Sequence, residues 1–173
     1  MMADAYVIRR LQPQEWQAYR AIRLRALEEA PDAFCATLAE AQAWDIGEWA
    51  ARLERAATSG IDCPLAAEQD GAPVGLLWAK VDADHPDRVN LFQVWVAPEC
   101  RGRGVASALL DEALAWARAR GARAVHLGVN RANTHVVRLY ERAGFEAIGA
   151  PRPMREGSSN MEQQMRLLLT AGE

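Results

Sequence analysis

Two arginines and two glycines alternate at Arg101, Gly102, Arg103 and Gly104, a combination suited to binding phosphate. Glycines let a large anion approach the backbone closely. A helix that begins directly after them presents free backbone amides at the positive end of its dipole. Arginine side chains add positive charge and hydrogen-bond donors for phosphate oxygens. These four residues, called the glycine loop below, therefore predict a pyrophosphate-binding site.

The segments on either side of the glycine loop predict a strand followed by a helix. Residues 91–96 are apolar, β-branched or aromatic apart from Gln93, which is typical of a strand. Pro98 cannot continue a central strand, so we expect the strand to end near it. After the loop, apolar residues recur at three- and four-residue spacing, which predicts a helix. They are Val105, Ala108, Leu109, Ala113, Trp116 and Ala117.

The spacing of the loop excludes two common phosphate-binding motifs. A nucleoside-triphosphate loop requires Gly-x-x-x-x-Gly-Lys-Ser/Thr, which this sequence lacks. A dinucleotide loop requires Gly-x-Gly-x-x-Gly/Ala after the first strand. Here Ser107 occupies the third position and the loop lies in the middle of the chain. A nicotinamide-dependent oxidoreductase would also need an acidic ribose partner after an early strand, which we do not find.

Three motifs together resemble the GCN5-related N-acetyltransferase (GNAT) superfamily, whose members bind acetyl-coenzyme A (acetyl-CoA). Arg101, Gly104 and Ala106 fill the superfamily's pyrophosphate pattern Arg/Gln-x-x-Gly-x-Gly/Ala, with Val96-x-Pro98 before it. The second motif resembles the strand–helix–strand block that follows that loop, with Val136 where alanine is usual. It consists of Val129, Asn133, Val136, Leu139, Tyr140, Gly144 and Phe145. The third, Ala26-Leu27-x-x-x-Pro31-x-Ala33-Phe34, resembles the first-helix region, so the resemblance spans nearly the whole chain.

This resemblance implies a binding site for acetyl-CoA as cosubstrate. In the family, the strand before the loop separates from the strand after it, and pantetheine enters the gap. Backbone groups of Val94, Trp95 and Val96 would pair with pantetheine, and one strand amide would polarise the thioester carbonyl. The pyrophosphate would bind at the loop and first helical turn, formed by Arg101, Gly102, Arg103, Gly104, Val105, Ala106 and Ser107.

Two further residues have implied roles, each with a structural alternative. Tyr140 matches the family tyrosine that protonates the coenzyme sulfur and is the expected catalytic residue; otherwise it is a helical tyrosine packed in the core. Asn133 matches the residue that bonds the pantetheine or adenylate arm, and it also suits a helix N-cap. Both roles of Asn133 are compatible.

No general base is identified. The strand position that carries glutamate in histone-acetylating relatives holds Asn90, which cannot accept a proton. The other carboxylates near the expected acceptor mouth or the glycine loop are more typical of surface residues. They are Glu28, Glu29, Glu40, Asp84 and Glu99.

The resemblance implies an N-acetyltransferase in which a primary amine of a small molecule or peptide attacks the thioester directly. The alternative is a non-catalytic coenzyme A-binding sensor or assembly module, which the missing base favours and the intact Tyr140 disfavours. The acidic loop at residues 82–87 would suit a cationic amine, although such loops are more often only solvated. Family habit allows a homodimer, which the sequence does not decide.

Periodicity along the chain predicts a mixed α/β fold. The expected sheet is GNAT-like, mostly antiparallel, with six to seven strands flanked by about four helices. Asp70–Gly71 is a hairpin signal inside a three-stranded meander. The helix after the glycine loop implies a crossover to a parallel strand. Expected strands are 6–11, 64–68, 73–81, 88–96, 124–129, 145–148 and 161–169; expected helices are 13–29, 45–57 with an Asp45–Glu48 capping box, 105–120 and 133–143.

Bulk properties predict a single domain over residues 1–173, half hydrophobic and a quarter charged. A net charge of −3 without basic runs argues against nucleic-acid binding. No apolar stretch is long enough to span a membrane, and the N-terminus lacks the pattern of a secretory signal. Three widely spaced cysteines indicate free thiols in a reducing cytoplasm. They form no spaced cluster with the three histidines, so we expect no metal site.

Overall fold

The computed structural model describes residues 6–169, in which seven strands form one sheet in the order β1-β2-β3-β4-β5-β7-β6. All neighbouring strands are antiparallel except β4 and β5, which are parallel. The strands are β1 Val7–Arg10, β2 Asp62–Gln69, β3 Ala72–Val81, β4 Arg88–Val96, β5 Ala124–Asn130, β6 Glu146–Pro153 and β7 Met161–Leu168. The α-helices are α1 Trp16–Glu29, α2 Leu38–Gln42, α3 Ile46–Ser59, α4 Val105–Ala119 and α5 Thr134–Arg142. The expected mixed, mostly antiparallel sheet is confirmed.

A hairpin turn and the crossover through α4 determine how the central strands β2 to β5 are arranged. Asp70 and Gly71 both have positive φ, 52° and 81°, which is the conformation of a type I′ hairpin turn. They join β2 to β3, and β3 returns to β4 to complete the predicted meander. Helix α4 then carries the chain across to β5, which pairs in parallel with β4.

Helices cover both faces of β3, where residues 74–79 are all buried. A Cβ at Gly75 would lie 3.1 Å from Leu109 of α4, whereas the Trp78 ring lies 5.7 Å from the Tyr19 ring of α1. Because residues three apart on a strand face opposite sides, α1 and α4 lie on opposite faces. Helix α3 packs against α1 on the same face of the sheet, where the centroid of the fully buried Trp49 ring lies 5.6 Å from that of the Tyr19 ring. The core therefore extends on both sides of the central strands.

Local structure differs from the sequence prediction at four places. Residues 13–15 form a 3₁₀ turn before α1, and the short helix α2 was not predicted. Asp45 is the N-cap of α3, but its side chain makes no capping bond, and the Glu48 side chain pairs with Arg55. A capping box that was not predicted joins Thr37 and Glu40 at α2. Strand β6 continues to Pro153, so the loop before β7 is shorter than predicted.

Within residues 6–169, no helix combines the length and hydropathy that a bilayer span needs. Cys35, Cys63 and Cys100 are free thiols; Cys35 is exposed and the other two are buried.

Candidate active site

Strands β4 and β5 separate partway along their length. Their parallel pairing runs from Arg88 and Ala124 to Leu91 and Leu127, although β4 continues to Val96 and β5 to Asn130. A cleft of about 1320 Å³ lies at this separation and is lined by residues of both strands. Backbone groups at such an opening can pair with an extended ligand.

A β-bulge at Gln93 shapes β4 at the start of this opening. Gln93 and Val94 together face Leu77, because Trp78 pairs with Phe92 and Leu76 with Trp95. Gln93 has a φ of 61°, a conformation that is costly for a residue with a Cβ. The Tyr19 hydroxyl donates to Gln93 Oε1 at 3.0 Å and holds the side chain in place. Sequence reasoning noted Gln93 only as an exception in an apolar strand.

The glycine loop leads into the first turn of α4, as predicted. Gly102 and Gly104 have φ values of 79° and 82°, and Gly104 is the N-cap of α4. A Cβ at Gly102 would meet no atom of residues 6–169 within 4 Å, so the backbone conformation rather than space calls for glycine there. The amides of Val105, Ala106 and Ser107 have no acceptor among residues 6–169. This turn therefore offers three free donors beside the cleft.

The arginines of the loop are placed differently from each other. Arg101 lines the cleft, donates from Nε to the Val96 carbonyl at 2.9 Å, and pairs with Glu29 at 2.5 Å. Glu29 also accepts from Trp95 Nε1 at 2.9 Å, and Arg101 holds its pKa below the ordinary value. Arg101 thus ties the loop to β4 and to the end of α1. Arg103 does not line the cleft.

Tyr140, on α5, lines the same cleft and is only 4% exposed. Its hydroxyl has no hydrogen-bond partner within residues 6–169, and its ring packs edge-on against Phe145 at 5.8 Å. Burial raises the pKa of the hydroxyl, so it stays protonated at neutral pH. Tyr140 is therefore both a packed residue and an available proton donor at the cleft.

The predicted site residues largely meet at this cleft. Ten further members line it besides Tyr140: Val94, Trp95, Val96, Arg101, Gly102, Gly104, Val105, Ala106, Ser107 and Asn133. Asn133 is the N-cap of α5, and its Oδ1 accepts from the Val136 amide at 3.3 Å, which confirms that part of the prediction. The coenzyme contacts of these residues stay predictions.

Comparison with known proteins decides the family. The family model described as acetyltransferase (GNAT) family matches residues 13–145. The chain belongs to the GNAT family. Mycothiol acetyltransferase from Propionibacterium freudenreichii subsp. shermanii is 40% identical over 85 residues, which are 49% of this chain and 27% of that protein. Mycothiol acetyltransferase from Thermomonospora curvata is 31% identical over 144 residues, 82% of this chain and 44% of that protein. The chain thus spans less than half the length of these relatives.

Solved GNAT structures share the whole fold. A GNAT acetyltransferase from Streptococcus pneumoniae has a TM-score of 0.82 at 24% identity, covering 95% of this chain and 100% of that one. YncA from Salmonella typhimurium, solved with acetyl-CoA, has a TM-score of 0.80 at 20% identity, covering 98% and 96%. At these identities the likeness shows the fold alone.

The carboxylates considered as bases in this GNAT chain are occupied or lie away from the cleft. Glu40 belongs to the capping box of α2, and Glu99 pairs with Arg25 at 2.7 Å. Glu28 and Asp84 do not line the cleft, and Glu29 is held by Arg101 and Trp95. None of these five is therefore a free carboxylate at the cleft.

Three polar residues also line the GNAT cleft; the sequence analysis assigned no site role to Asn130 or His126 and considered Asp82 only as part of the acidic loop at residues 82–87. Asn130, 7% exposed, donates to the Asp32 carbonyl at 2.9 Å and fastens the end of β5. Asp82 accepts from Asn90 Nδ2 at 2.8 Å, and Asn90 is the main cause of its lowered pKa. His126 lies opposite Asn90 in the β4–β5 register, and burial lowers its pKa, so the ring is neutral at pH 7.

Proposed function

We propose that this GNAT chain is an acetyl-CoA-dependent N-acetyltransferase that acetylates a primary amine of a small molecule or peptide. One observation carries the proposal: the free amides of Val105, Ala106 and Ser107 and the Tyr140 hydroxyl line one cleft at the β4–β5 separation. The amides suit the pyrophosphate of the coenzyme, and the hydroxyl suits its leaving sulfur.

In the proposed reaction, strand β4 and helix α5 supply the groups that act on acetyl-CoA. Backbone groups of residues 94–96 would pair with pantetheine, and a β4 amide near the bulge would donate to the thioester oxygen. The neutral amine attacks the thioester carbon, forming the C–N bond and then breaking the C–S bond. Tyr140 gives its proton to the departing thiolate, and the acetylated nitrogen loses its extra proton to cleft water. The phenolate then recovers a proton from solvent.

Asn133 and Arg101 would support binding rather than chemistry. Asn133 lies at the start of α5 beside the cleft, within reach of an extended coenzyme arm, and keeps its capping bond. Arg101 would hold the loop in shape through Val96 and Glu29 and contribute positive charge near the pyrophosphate. Acetyl-CoA acts as cosubstrate, and no metal is invoked in this scheme.

A coenzyme A-binding sensor or assembly module is the second candidate, favoured by the absence of a free carboxylate base among the five considered above. Coenzyme A thiol release, measured with acetyl-CoA and a panel of primary amines between pH 7 and 9, separates the two. Amine-dependent release that rises with pH supports the transferase, because the neutral amine is the nucleophile. Tight binding of acetyl-CoA without amine-dependent release would support the sensor.

A further inference from the structure

The cleft has a basic end formed by α1 and α3. Arg23 of α1 and Arg52 and Arg55 of α3 line it. Arg55 is paired with Glu48 at 3.0 Å. Neither Arg23 nor Arg52 has a carboxylate partner among residues 6–169. Two guanidinium groups that interact electrostatically with each other thus have no carboxylate counterion among the described residues.

Arg23 is the more deeply placed of the two. Its exposure is 8%, and its Nη1 is buried without any acceptor. The guanidinium lies over the Phe34 ring, 4.6 Å from the centroid. Burial lowers the pKa of Arg23, and the neighbouring Arg52 lowers it further, while the Tyr19 hydroxyl opposes both. A buried cation with unmet hydrogen bonds is costly to a folded protein unless a ligand completes it.

Arg52 adds a second unsatisfied donor at this end. Its guanidinium lies 3.8 Å from the centroid of the Trp44 ring, and its Nε is buried without an acceptor. The two aromatic faces hold the two cations in place without neutralising them. Both arginines thus line the cleft as fixed cations, and each has one buried donor without an acceptor among residues 6–169.

The carboxylates of the cleft are already used by other groups. Those among the described residues are Glu29, Asp62, Asp82 and Glu162. Glu29 accepts from Trp95 and Arg101, and Asp62 accepts from Trp78 Nε1 and Ser59 Oγ. Asp82 is hydrogen-bonded to Asn90 and His85, and Glu162 accepts from Gln164. Among residues 6–169, no carboxylate that lines the cleft is therefore left to neutralise Arg23 and Arg52.

Tyr19 places this pair next to the separated strands. Its ring is buried at 1% exposure, its hydroxyl donates to Gln93 at the β4 bulge, and it interacts electrostatically with both Arg23 and Arg52. An anion at the arginine pair would thus lie one side chain away from the bulge. In the proposed transferase, that is the acceptor side of the cleft.

We propose that Arg23 and Arg52 bind a carboxylate of the acceptor, so that the acceptor is an amino acid or a peptide with a nearby carboxylate. This inference rests on the proposed acetyl transfer. The planar guanidinium fork matches a carboxylate with paired, charge-assisted hydrogen bonds. An acceptor with a carboxylate differs from the cationic acceptor that the acidic loop at residues 82–87 suggested. Asp82 of that loop is already hydrogen-bonded to Asn90 and His85.

The test compares amino acids with their carboxamides at equal concentrations of neutral amine, because the α-amine of a carboxamide has a lower pKa than that of the amino acid. We expect kcat/KM to favour the amino acids by on the order of 10- to 100-fold, the range for hydrogen bonds to a charged group. Arg23→Gln should remove most of that preference, mainly by raising KM, and Arg23→Lys should restore part of it. Peptides with and without an acidic residue next to the amine distinguish the two sources of the carboxylate.

Arg20→Gln is the matched control. Arg20 lies one turn earlier on α1 and also has a buried Nε without an acceptor, but it lines a separate depression with Trp16, Gln17 and Ile46. Its replacement should leave the preference unchanged. Should Arg23→Gln fail to fold, Arg52→Gln tests the same pair.

A binding measurement keeps the two proposals apart. N-acetyl amino acids and their carboxamides are titrated by calorimetry into the full chain saturated with coenzyme A, which needs no turnover. Tighter binding of the carboxylates, lost in Arg23→Gln but not in Arg20→Gln, supports the arginine site even if no amine is acetylated. Equal binding of both sets, or a preference for cationic polyamines in the assay, would overturn the carboxylate inference while leaving the transferase proposal intact.

Discussion

Replacing Tyr140 with phenylalanine should affect stability and turnover in opposite directions. Tyr140 is 4% exposed and its hydroxyl has no partner among residues 6–169, whereas the ring packs on Phe145 at 5.8 Å and would stay. An unpaired buried hydroxyl costs about 1–3 kcal/mol in protein mutants. Because Tyr140 borders the open cleft, we take the lower end, and Tyr140→Phe should gain up to about 1 kcal/mol, or about 2–4 °C in Tm.

The catalytic effect of the same change follows from the proton that is lost. General acid catalysis contributes about 10²- to 10⁴-fold. A thiolate is already a fair leaving group, since thiols have a pKa near 8.5, so we expect kcat to fall by about 100-fold. The Kd for acetyl-CoA should change little. Thiol release, calorimetry and thermal melting measure the three quantities on one preparation.

Tyr19→Phe supplies the contrast for stability. The Tyr19 hydroxyl is equally buried but donates to Gln93 at 3.0 Å, so its removal leaves an acceptor unpaired and the bulge unsupported. We expect a loss of about 1 kcal/mol. The reasoning about Tyr140 would be refuted by a Tyr140→Phe variant that turns over within about threefold of the parent or that melts lower than the parent.

Two further predictions concern titrating groups at the cleft. The pKa of Glu29 is lowered in the fold by Arg101, so its contribution to stability is present above the ordinary glutamate pKa and is lost as pH falls through the folded value. The free energy of unfolding is measured in urea from pH 7 to pH 3 for the parent and Glu29→Gln. The parent should be more stable at pH 7, and the difference in free energy should shrink below about pH 4.3. A difference that stays constant with pH would contradict this. Burial and the nearby Glu162 raise the pKa of Cys35 to about 11, so iodoacetamide should label this exposed thiol slowly at pH 8. Glu162→Gln should speed labelling, as mass spectrometry would show; an unchanged rate would count against the electrostatic cause.

Features set by neighbouring residues could be predicted from the sequence. Strand β4 begins and ends where the pattern placed it, Arg88–Val96, because its apolar run is bounded by a polar loop and Pro98. The hairpin at Asp70–Gly71 and the start of α4 after Gly104 follow from turn chemistry that needs positive φ. These signals were enough to bring most of the expected coenzyme-binding residues to one cleft.

Features that depend on distant partners could not be predicted. Gln93 takes its positive φ beside Tyr19, which is 74 positions earlier in the chain, and no local pattern indicates that contact. Arg101 is likewise held by Glu29, which is 72 positions earlier in the chain. We expected Arg101 to face the ligand, but this ion pair makes it a structural part of the cleft lining. That Arg23 has no carboxylate partner among residues 6–169 becomes visible only when the carboxylates of those residues have been placed.

Binding of acetyl-CoA at the first turn of α4 is the central claim, and two glycine variants test it most directly. Gly104→Glu puts a negative side chain at the free amides, while Gly121→Glu imposes the same substitution at a similar φ, 79° against 82°, just after the other end of α4. Within residues 6–169, no atom lies closer than 3.7 Å to a Cβ added at either glycine, so the two variants should lose similar stability.

The measurement is the shift in melting temperature with acetyl-CoA, coenzyme A or NADH for the parent and both variants. A ligand at about 100 times its Kd adds about 2.7 kcal/mol, which for a domain of this size corresponds to a rise of about 5–10 °C. We predict that rise with acetyl-CoA and coenzyme A, but not with NADH, in the parent and in Gly121→Glu, and no rise in Gly104→Glu. An equal rise in Gly104→Glu, or no rise in the parent, would contradict the account.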